Sequence, residues 1–384
     1  MSKAFDSLHP EGIINSLVGA GFANDTVDLI RNYLSDRRQI TKINGCQSTL
    51  TEVFYGVPQG SVLGPLLFTL YVNELSSVAR IAKVSQYADD VTIYCAAKNP
   101  ALAQTALQYD INRICHWMAA NSLQVNGKKS QLMVIKAKAY STDAKDQVKS
   151  RSLADATEPE ITLLVGEQLL KPQPKVEILG FVLDEHLLLN EQVNAVRKKT
   201  RSGLFALKQA SKHGLNIGCL VQMANGLIAS YLHYCDTVLG LANSTALKGL
   251  QARQDQAIRI IWKLHPWASV ETYRQRLGWL TLEGKRNVHL ATLLFRASRR
   301  EAPRAICDLF KPVDTAVRNH RFNFRNDRPT NFVIPKWTKP RLQSTLSYRG
   351  AKLWNELEDK FHLASDAQAC RQLMYKHLLK DDDE

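Results

Sequence analysis

The stretch QYADDVTIY, residues 86–94, sets two adjacent carboxylates, Asp89 and Asp90, inside an otherwise apolar, β-branched and aromatic run. In a β-strand successive side chains point to opposite faces, so both aspartates cannot be core residues of one strand. At the tip of a tight hairpin both can point outward to one site. Two carboxylates that close repel each other unless a cation neutralises them. Hard carboxylate oxygens suit Mg²⁺, which takes one or two of them and leaves room for waters and phosphate oxygens. Asp-Asp is also ordinary turn chemistry, so the pair by itself leaves both readings open. The pattern predicts two short strands over residues 84–95 with the aspartates between them.

Upstream lies a second unusual string, GVPQGSVLGPLLF, residues 56–68. Gly56 and Gly60 bracket a stiff Pro58, and glycines let a backbone approach a planar base or a sugar closely. Gln59 offers a donor and an acceptor beside that approach. Ser61 is placed to cap a helix predicted over about residues 61–79. Before it, helical periodicity over residues 10–38 breaks at Gly19–Gly21, and a hairpin turning at Asn44-Gly45 is predicted over residues 39–55. Beyond the aspartates, residues 101–121 read as an amphipathic helix with Leu102, Ala106, Ile111, Ile114, Trp117 and Met118 on one face. Short strands are predicted over residues 132–135, 161–165 and 176–183. Residues 137–160 are polar and charged, the composition of an exposed, mobile loop. After Asn190 the pattern changes to long helical periods.

These strings together, in this order, resemble the reverse transcriptases of non-long-terminal-repeat, LINE-like retrotransposons. Ser2-Lys3-Ala4-Phe5-Asp6 is similar to the end of that family's first palm motif. Asn126-Gly127-Lys128-Lys129-Ser130 resembles the fourth motif and residues 178–184 (ILGFVLD) the fifth. Residues 347–357 (SYRGAKLWNEL) are similar to the closing segment of many such polyproteins. The match over residues 56–95 is the strongest part.

The resemblance implies an α+β fold: a right-hand polymerase palm, an antiparallel sheet backed by helices, over residues 1–190, then a basic α-helical thumb and C-terminal region over 191–384, with the fingers largely absent. It implies RNA-directed DNA polymerisation, with an RNA template, a DNA primer, dNTP and a two-ion Mg²⁺ site as partners. Asp89 and Asp90 become the metal-binding carboxylates, with Asp89 the stronger direct ligand. Phe5 becomes the bulky residue under the sugar. Tyr87, Gln59 and Gly60 contact the incoming nucleotide and template, Lys129 protonates the leaving pyrophosphate, and Leu179 and Gly180 form the primer grip. The family's first motif opens with a further aspartate, six residues ahead of Asp6, a position immediately before Met1. That departure sets the expectation of an N-terminally truncated chain with an incomplete carboxylate set and impaired activity. Asp6 itself is expected to act as a turn or helix cap.

The net charge is +14, and it is lopsided. Residues 1–190 carry 18 Lys/Arg against 19 Asp/Glu, whereas residues 191–384 carry 32 against 17. A polyanionic partner follows for the second half. The amphipathic pattern of residues 247–264 leaves Arg253, Arg259 and Lys263 toward solvent. Arg197-Lys198-Lys199, Arg299-Arg300 and residues 318–328 add basic clusters, the last interleaved with Phe322 and Phe324. Seven scattered cysteines without a C-x-x-C pair read as reduced thiols, with no disulfides, in an intracellular protein, nuclear or cytoplasmic. The longest apolar run is too short to span a bilayer. Two other functions stay open at this point: an inactive RNA- or DNA-binding remnant, and an intron-maturase-like protein.

Overall fold

The computed structural model describes residues 4–135, 161–313, 331–336 and 343–381. The expected loop 137–160 and the basic segment 318–328, with Phe322 and Phe324, lie outside the described residues. The chain divides into two compact units, Met1–Leu179 and Gly180–Glu384. Both are helix-rich, and the strands among the described residues form short two-stranded pairs.

In the first unit a short 3₁₀ turn, Ala4–Asp6, leads into α1 (Pro10–Gly19) and α2 (Asn24–Leu34). Pro10 opens α1 where its missing N–H costs nothing. Four two-residue strands follow: β1 (Arg38–Gln39), β2 (Lys42–Ile43), β3 (Cys46–Gln47) and β4 (Thr51–Glu52). β1 pairs with β4 and β2 with β3, so the predicted hairpin around Asn44-Gly45 forms, with an interrupted ladder. The helix expected over 61–79 is instead two pieces, α3 (Leu63–Tyr71) and α4 (Leu75–Val78). Tight i+3 hydrogen bonds, Asn73 to Leu70 and Leu75 to Val72, replace helical ones between them.

β5 (Lys83–Tyr87) and β6 (Asp90–Tyr94) form the predicted hairpin, with Tyr87 opposite Asp90. α5 (Pro100–Ala120) is capped by Asn99, whose side chain accepts from Ala101 N–H at 2.8 Å. Its buried face carries Ile111, Ile114 and Met118, while Leu102 is exposed. The strand predicted at 132–135 shrinks to one bridge, Leu132 to Pro172. Proline has no N–H to donate, so the ladder stops there. β7 (Leu163–Val165) pairs with β8 (Gln168–Leu170), and β9 (Lys175–Ile178) closes the unit. One core joins Leu8, Ile13, Leu17, Leu67, Phe68, Leu75 and Ile114, with Phe5, Val84, Val91 and Ile93 packed against it.

The second unit opens with β10 (Phe181–Asp184) and is then helical. α6 (Asn190–Lys212), α7 (Ile217–Ala224), α8 (Ser230–His233), α9 (Asp236–Leu239) and α10 (Ser244–Ile261) surround a core that includes Val193, Leu207, Leu220, Ile228 and Leu250. A π-helical turn, Asn225–Ala229, packs on α6, where a β-carbon on Gly203 would sit 2.5 Å from Leu227 O. α10 starts and stops three residues earlier than the sequence suggests. Asn243 caps it by accepting from Ala246 N–H at 2.7 Å. At its end Lys263 turns left-handed (φ 52°) and Leu264 N–H bonds back to Arg259 O at 2.9 Å. α11 (Glu271–Arg276), α12 (Leu282–Ser298), α13 (Arg304–Cys307), α14 (Leu346–Glu356), α15 (Asp359–His362) and α16 (Ala367–Asp381) follow. Phe295, Trp354, Phe361 and Met374 centre their core. No helix among the described residues is long and apolar enough to cross a membrane. All seven cysteines are free thiols.

Candidate active site

The carboxylate turn is two residues long, because β5 and β6 pair up to Tyr87–Asp90 and leave Ala88 and Asp89 as its tip. Ala88 holds φ 50°. A non-glycine residue in the left-handed region costs roughly 1–2 kcal/mol, and such strain concentrates where a side chain must be aimed. Asp89 is half-buried and Asp90 exposed, as is Tyr87. The two carboxylates therefore stand at the solvent end of a hairpin whose inner residues, Val84, Val91 and Ile93, join the core.

The same core seats the second string. Gly56 lies so close to the 4–6 turn that a β-carbon on it would be 2.8 Å from both Asp6 Cα and Phe5 O, and its φ of 80° also favours glycine. Gly56 N–H donates to Leu8 O at 2.8 Å and Val57 N–H to Phe5 O at 3.1 Å. Arg37 clamps the approach, donating to Tyr55 O and Gly56 O at 2.8 and 2.6 Å. Gln59 Nε2 then donates to Asp6 Oδ1 at 2.7 Å. Asp6 is thus a partner of the glycine-flanked loop; it lies in a turn, as expected, but caps no helix, since His9 precedes α1 without a side-chain cap. Phe5 stacks on Phe68, centroids 4.6 Å apart. Ser61 works as expected, accepting from Gly64 N–H at 3.0 Å.

Asp110 on α5 has no precedent in the sequence reading. Its carboxylate is fully buried and accepts the N–H groups of Arg80, Ile81 and Ala82 at 2.9, 2.8 and 2.6 Å. Those residues lead directly into β5, so Asp110 fixes where the carboxylate hairpin begins. Burial pushes its pKa up, but the three backbone N–H groups and the Arg113 charge outweigh burial and hold it below the usual range. Arg113 Nε also donates to Val78 O at 3.0 Å.

Lys129 is exposed at the end of a 3₁₀ turn, Gly127–Lys129, whose Gly127 packs against Val165 and Gln168. Leu179 and Gly180 both hold positive φ, 51° and 77°, in the turn after β9. Arg197, Lys198 and Lys199 are exposed on α6, where Lys199 lies over the Tyr231 ring at 5.4 Å. Lys263 is exposed and Arg253 half-buried. Arg259 donates to Ala268 O at 3.1 Å and Arg299 to Ser365 O and Ala364 O, so these two tie loops together. Among the described residues no three His, Cys, Asp or Glu side chains gather as a ready metal cage.

Residues 1–183, which hold both the carboxylate turn and the Gln59 loop, match the family described as reverse transcriptase (RNA-dependent DNA polymerase). The chain is similar to the RNA-directed DNA polymerase from mobile element jockey of Drosophila melanogaster, 22% identical over 270 residues, covering 68% of this chain and 27% of that protein. The probable RNA-directed DNA polymerase from transposon X-element of the same fly is 26% identical over 270 residues, with the same shares. The one from transposon BS is 24% identical over 312 residues, 79% of this chain and 32% of that protein. Residues 1–183 are a reverse transcriptase domain, of the LINE-like retrotransposon kind. The chain spans about a third or less of the length of these relatives.

Proposed function

We propose that this chain performs the polymerising step of retrotransposition, extending a DNA primer along an RNA template with deoxynucleoside triphosphates. The observation that carries the reading is the 2.7 Å Gln59–Asp6 hydrogen bond, which ties the loop to the 4–6 turn on the core that also seats the carboxylate hairpin. The first unit is read as the palm and the second as the thumb.

Asp89 and Asp90 fit Mg²⁺: two adjacent hard-oxygen donors, reachable from solvent, with space left for water and phosphate oxygens. When bound there, the ion supplies charge neutralisation for the triphosphate. Gln59 spends one amide hydrogen on Asp6 and keeps its other hydrogen and its oxygen for a nucleotide. Phe5, backed by Phe68, offers a fixed ring to exclude a ribose hydroxyl. Gly60 (φ 81°) lets the backbone lie flat beside a base, and Tyr87 is exposed next to the carboxylates. Lys129 holds a proton for the leaving pyrophosphate. The Leu179-Gly180 turn bears on the primer end, and Arg197, Lys198, Lys199, Arg253, Arg259 and Lys263 meet phosphates.

A primer-extension assay on an RNA template tests this. The expected result is product that depends on Mg²⁺ and vanishes in Asp89→Asn. A folded chain that yields none, or an Asp89→Asn variant that extends normally, refutes it. A second reading, nucleic-acid binding without synthesis, is favoured by α6, which carries six Lys/Arg and one acidic residue, Glu191. Binding whose affinity ignores salt would exclude that reading.

A further inference from the structure

Trp267 is 88% exposed, although tryptophan is highly buried on average. It does not sit on a loose loop. Ala268 N–H donates to His265 O at 3.0 Å, closing a four-residue turn with Pro266 at its second position, where the proline ring presets φ. Arg259 holds both sides of that turn: its carbonyl accepts from Leu264 N–H at 2.9 Å, and its Nε donates to Ala268 O at 3.1 Å. Val270, buried, anchors the chain beyond. The indole is therefore presented to solvent on a fixed support. α6 and α10 run side by side in one direction. Near their starts the Arg197 guanidinium packs on Gly249, and near their ends Ser211 Oγ donates to Ile260 O at 3.1 Å. Lys208, Lys212 and His213 close α6, and Lys263 and His265 follow α10, so these exposed groups lie at the same end of the pair as the Trp267 turn. Residues 192–271 hold ten Lys/Arg and only three acids. All three acids are engaged, Asp236 by His289 at 2.8 Å, Asp255 by Arg274 at 3.2 Å and Glu271 by the same arginine.

A flat π-face among cations, with every nearby carboxylate occupied, suits a strand whose bases are unpaired. The cations take its phosphates and the indole takes a base, whatever the sequence. A duplex offers the same phosphates, but its bases are already stacked on one another and leave the indole nothing to cover. A protein partner fits less well, because the exposed neighbours of Trp267 are Lys263, His265 and Pro266 rather than the sealing ring that surrounds a tryptophan at a tight interface. We propose that Trp267 is the stacking platform of a single-stranded nucleic-acid site at the common end of α6 and α10. The proposal rests on the nucleic-acid-binding reading of the second unit and adds the form of nucleic acid bound and the residue that selects it.

Fluorescence anisotropy of the full chain tests this, with a labelled oligo(dT) of about 12 nucleotides and a blunt duplex of the same length, over a range of salt. Trp267→Ala should weaken single-strand binding by about 5- to 100-fold and duplex binding by less than about twofold. It should leave the slope of log Kd against log salt unchanged, whereas Lys208→Gln combined with Lys212→Gln should reduce that slope. Trp267→Phe should keep most of the affinity and lose the fall in indole emission that base stacking produces in the parent. Trp267 is exposed, so these variants should melt within about 2 °C of the parent. Should Trp267→Ala not fold, the emission readout in Trp267→Phe still decides: an equal fall in parent and variant overturns the site. If the parent binds and Trp267→Ala binds the single strand as tightly, or loses both forms alike, the site is overturned while the nucleic-acid reading stands. If the parent binds neither form at low salt, that reading fails and takes the site with it. A Trp267→Ala variant that breaks a dimer in sedimentation, with oligonucleotide binding unchanged, gives the indole to a second copy of this chain and also overturns the proposal.

Discussion

Replacing Asp110 with asparagine changes one atom and should loosen the hairpin that carries Asp89 and Asp90. Asp110 Oδ2 accepts from both Ile81 and Ala82, and Oδ1 accepts from Arg80. Asparagine keeps one oxygen and turns an NH₂ toward the remaining donors, so at least one buried N–H loses its acceptor. Each such loss costs about 1–3 kcal/mol, and the bonds lost are charge-assisted, the stronger kind. At 1.4 kcal/mol per factor of ten, amide exchange over residues 80–95 should quicken by about 10- to 100-fold. Peptides from α12 should be unaffected. The sign with pH follows from the lowered pKa. The stabilisation is fully present above the ordinary carboxylate value of 3.8 and is lost as pH falls through the depressed folded value. The protection gap between parent and variant should therefore narrow in strong acid. Hydrogen exchange followed by mass spectrometry reads both effects. Unchanged protection over 80–95 in Asp110→Asn at neutral pH would refute the claim that this carboxylate positions the hairpin.

Further tests address other parts of the account. Gly56→Ala should destabilise the first unit by about 2–4 kcal/mol, from the left-handed φ plus overpacking against the 4–6 turn, read as lost exchange protection over residues 4–8. Ala88→Gly should slow opening of the hairpin, since glycine holds φ 50° without strain. Faster exchange over 83–94 would show that Ala88 is not strained. Burial, helped by Lys285, holds His233 down at about 4 from 6.5. The unfolded chain then binds the extra proton first, so stability of the second unit should fall as pH drops from about 6.5 to about 4, by up to about 3 kcal/mol. His233→Gln should flatten that slope in melts taken across the range.

The carboxylate hairpin was legible because its cues are local: alternation on both sides and two charges that only a tip can carry. The loop before α3 was legible for the same reason, since Gly56 and Ser61 declare their roles through φ and capping. What stayed hidden depends on distant partners. Asp110 looks like any polar residue on an amphipathic helix, because its acceptors' donors lie some 28–30 residues away in the backbone. The break between α3 and α4 carries no proline or glycine. The chain is redirected there toward the turn that Asp110 holds. Asp6 reads locally as a turn or cap residue, and its tie to Gln59 is hidden because that donor is 53 residues away. The end of α10 was overrun because Lys263, not a glycine, takes the left-handed position.

The central claim is that the tip at Asp89–Asp90 and the Gln59 loop bound a single cation-dependent nucleotide site. Paramagnetic broadening by Mn²⁺, followed by NMR in the parent and in Asp89→Asn, measures this without requiring turnover. The account predicts that the Gln59 side-chain amide and the Phe5 backbone amide broaden together with Ala88 and Asp90, and that all four sharpen in the variant. Broadening confined to residues 88–91, with Gln59 and Phe5 left sharp, would contradict it.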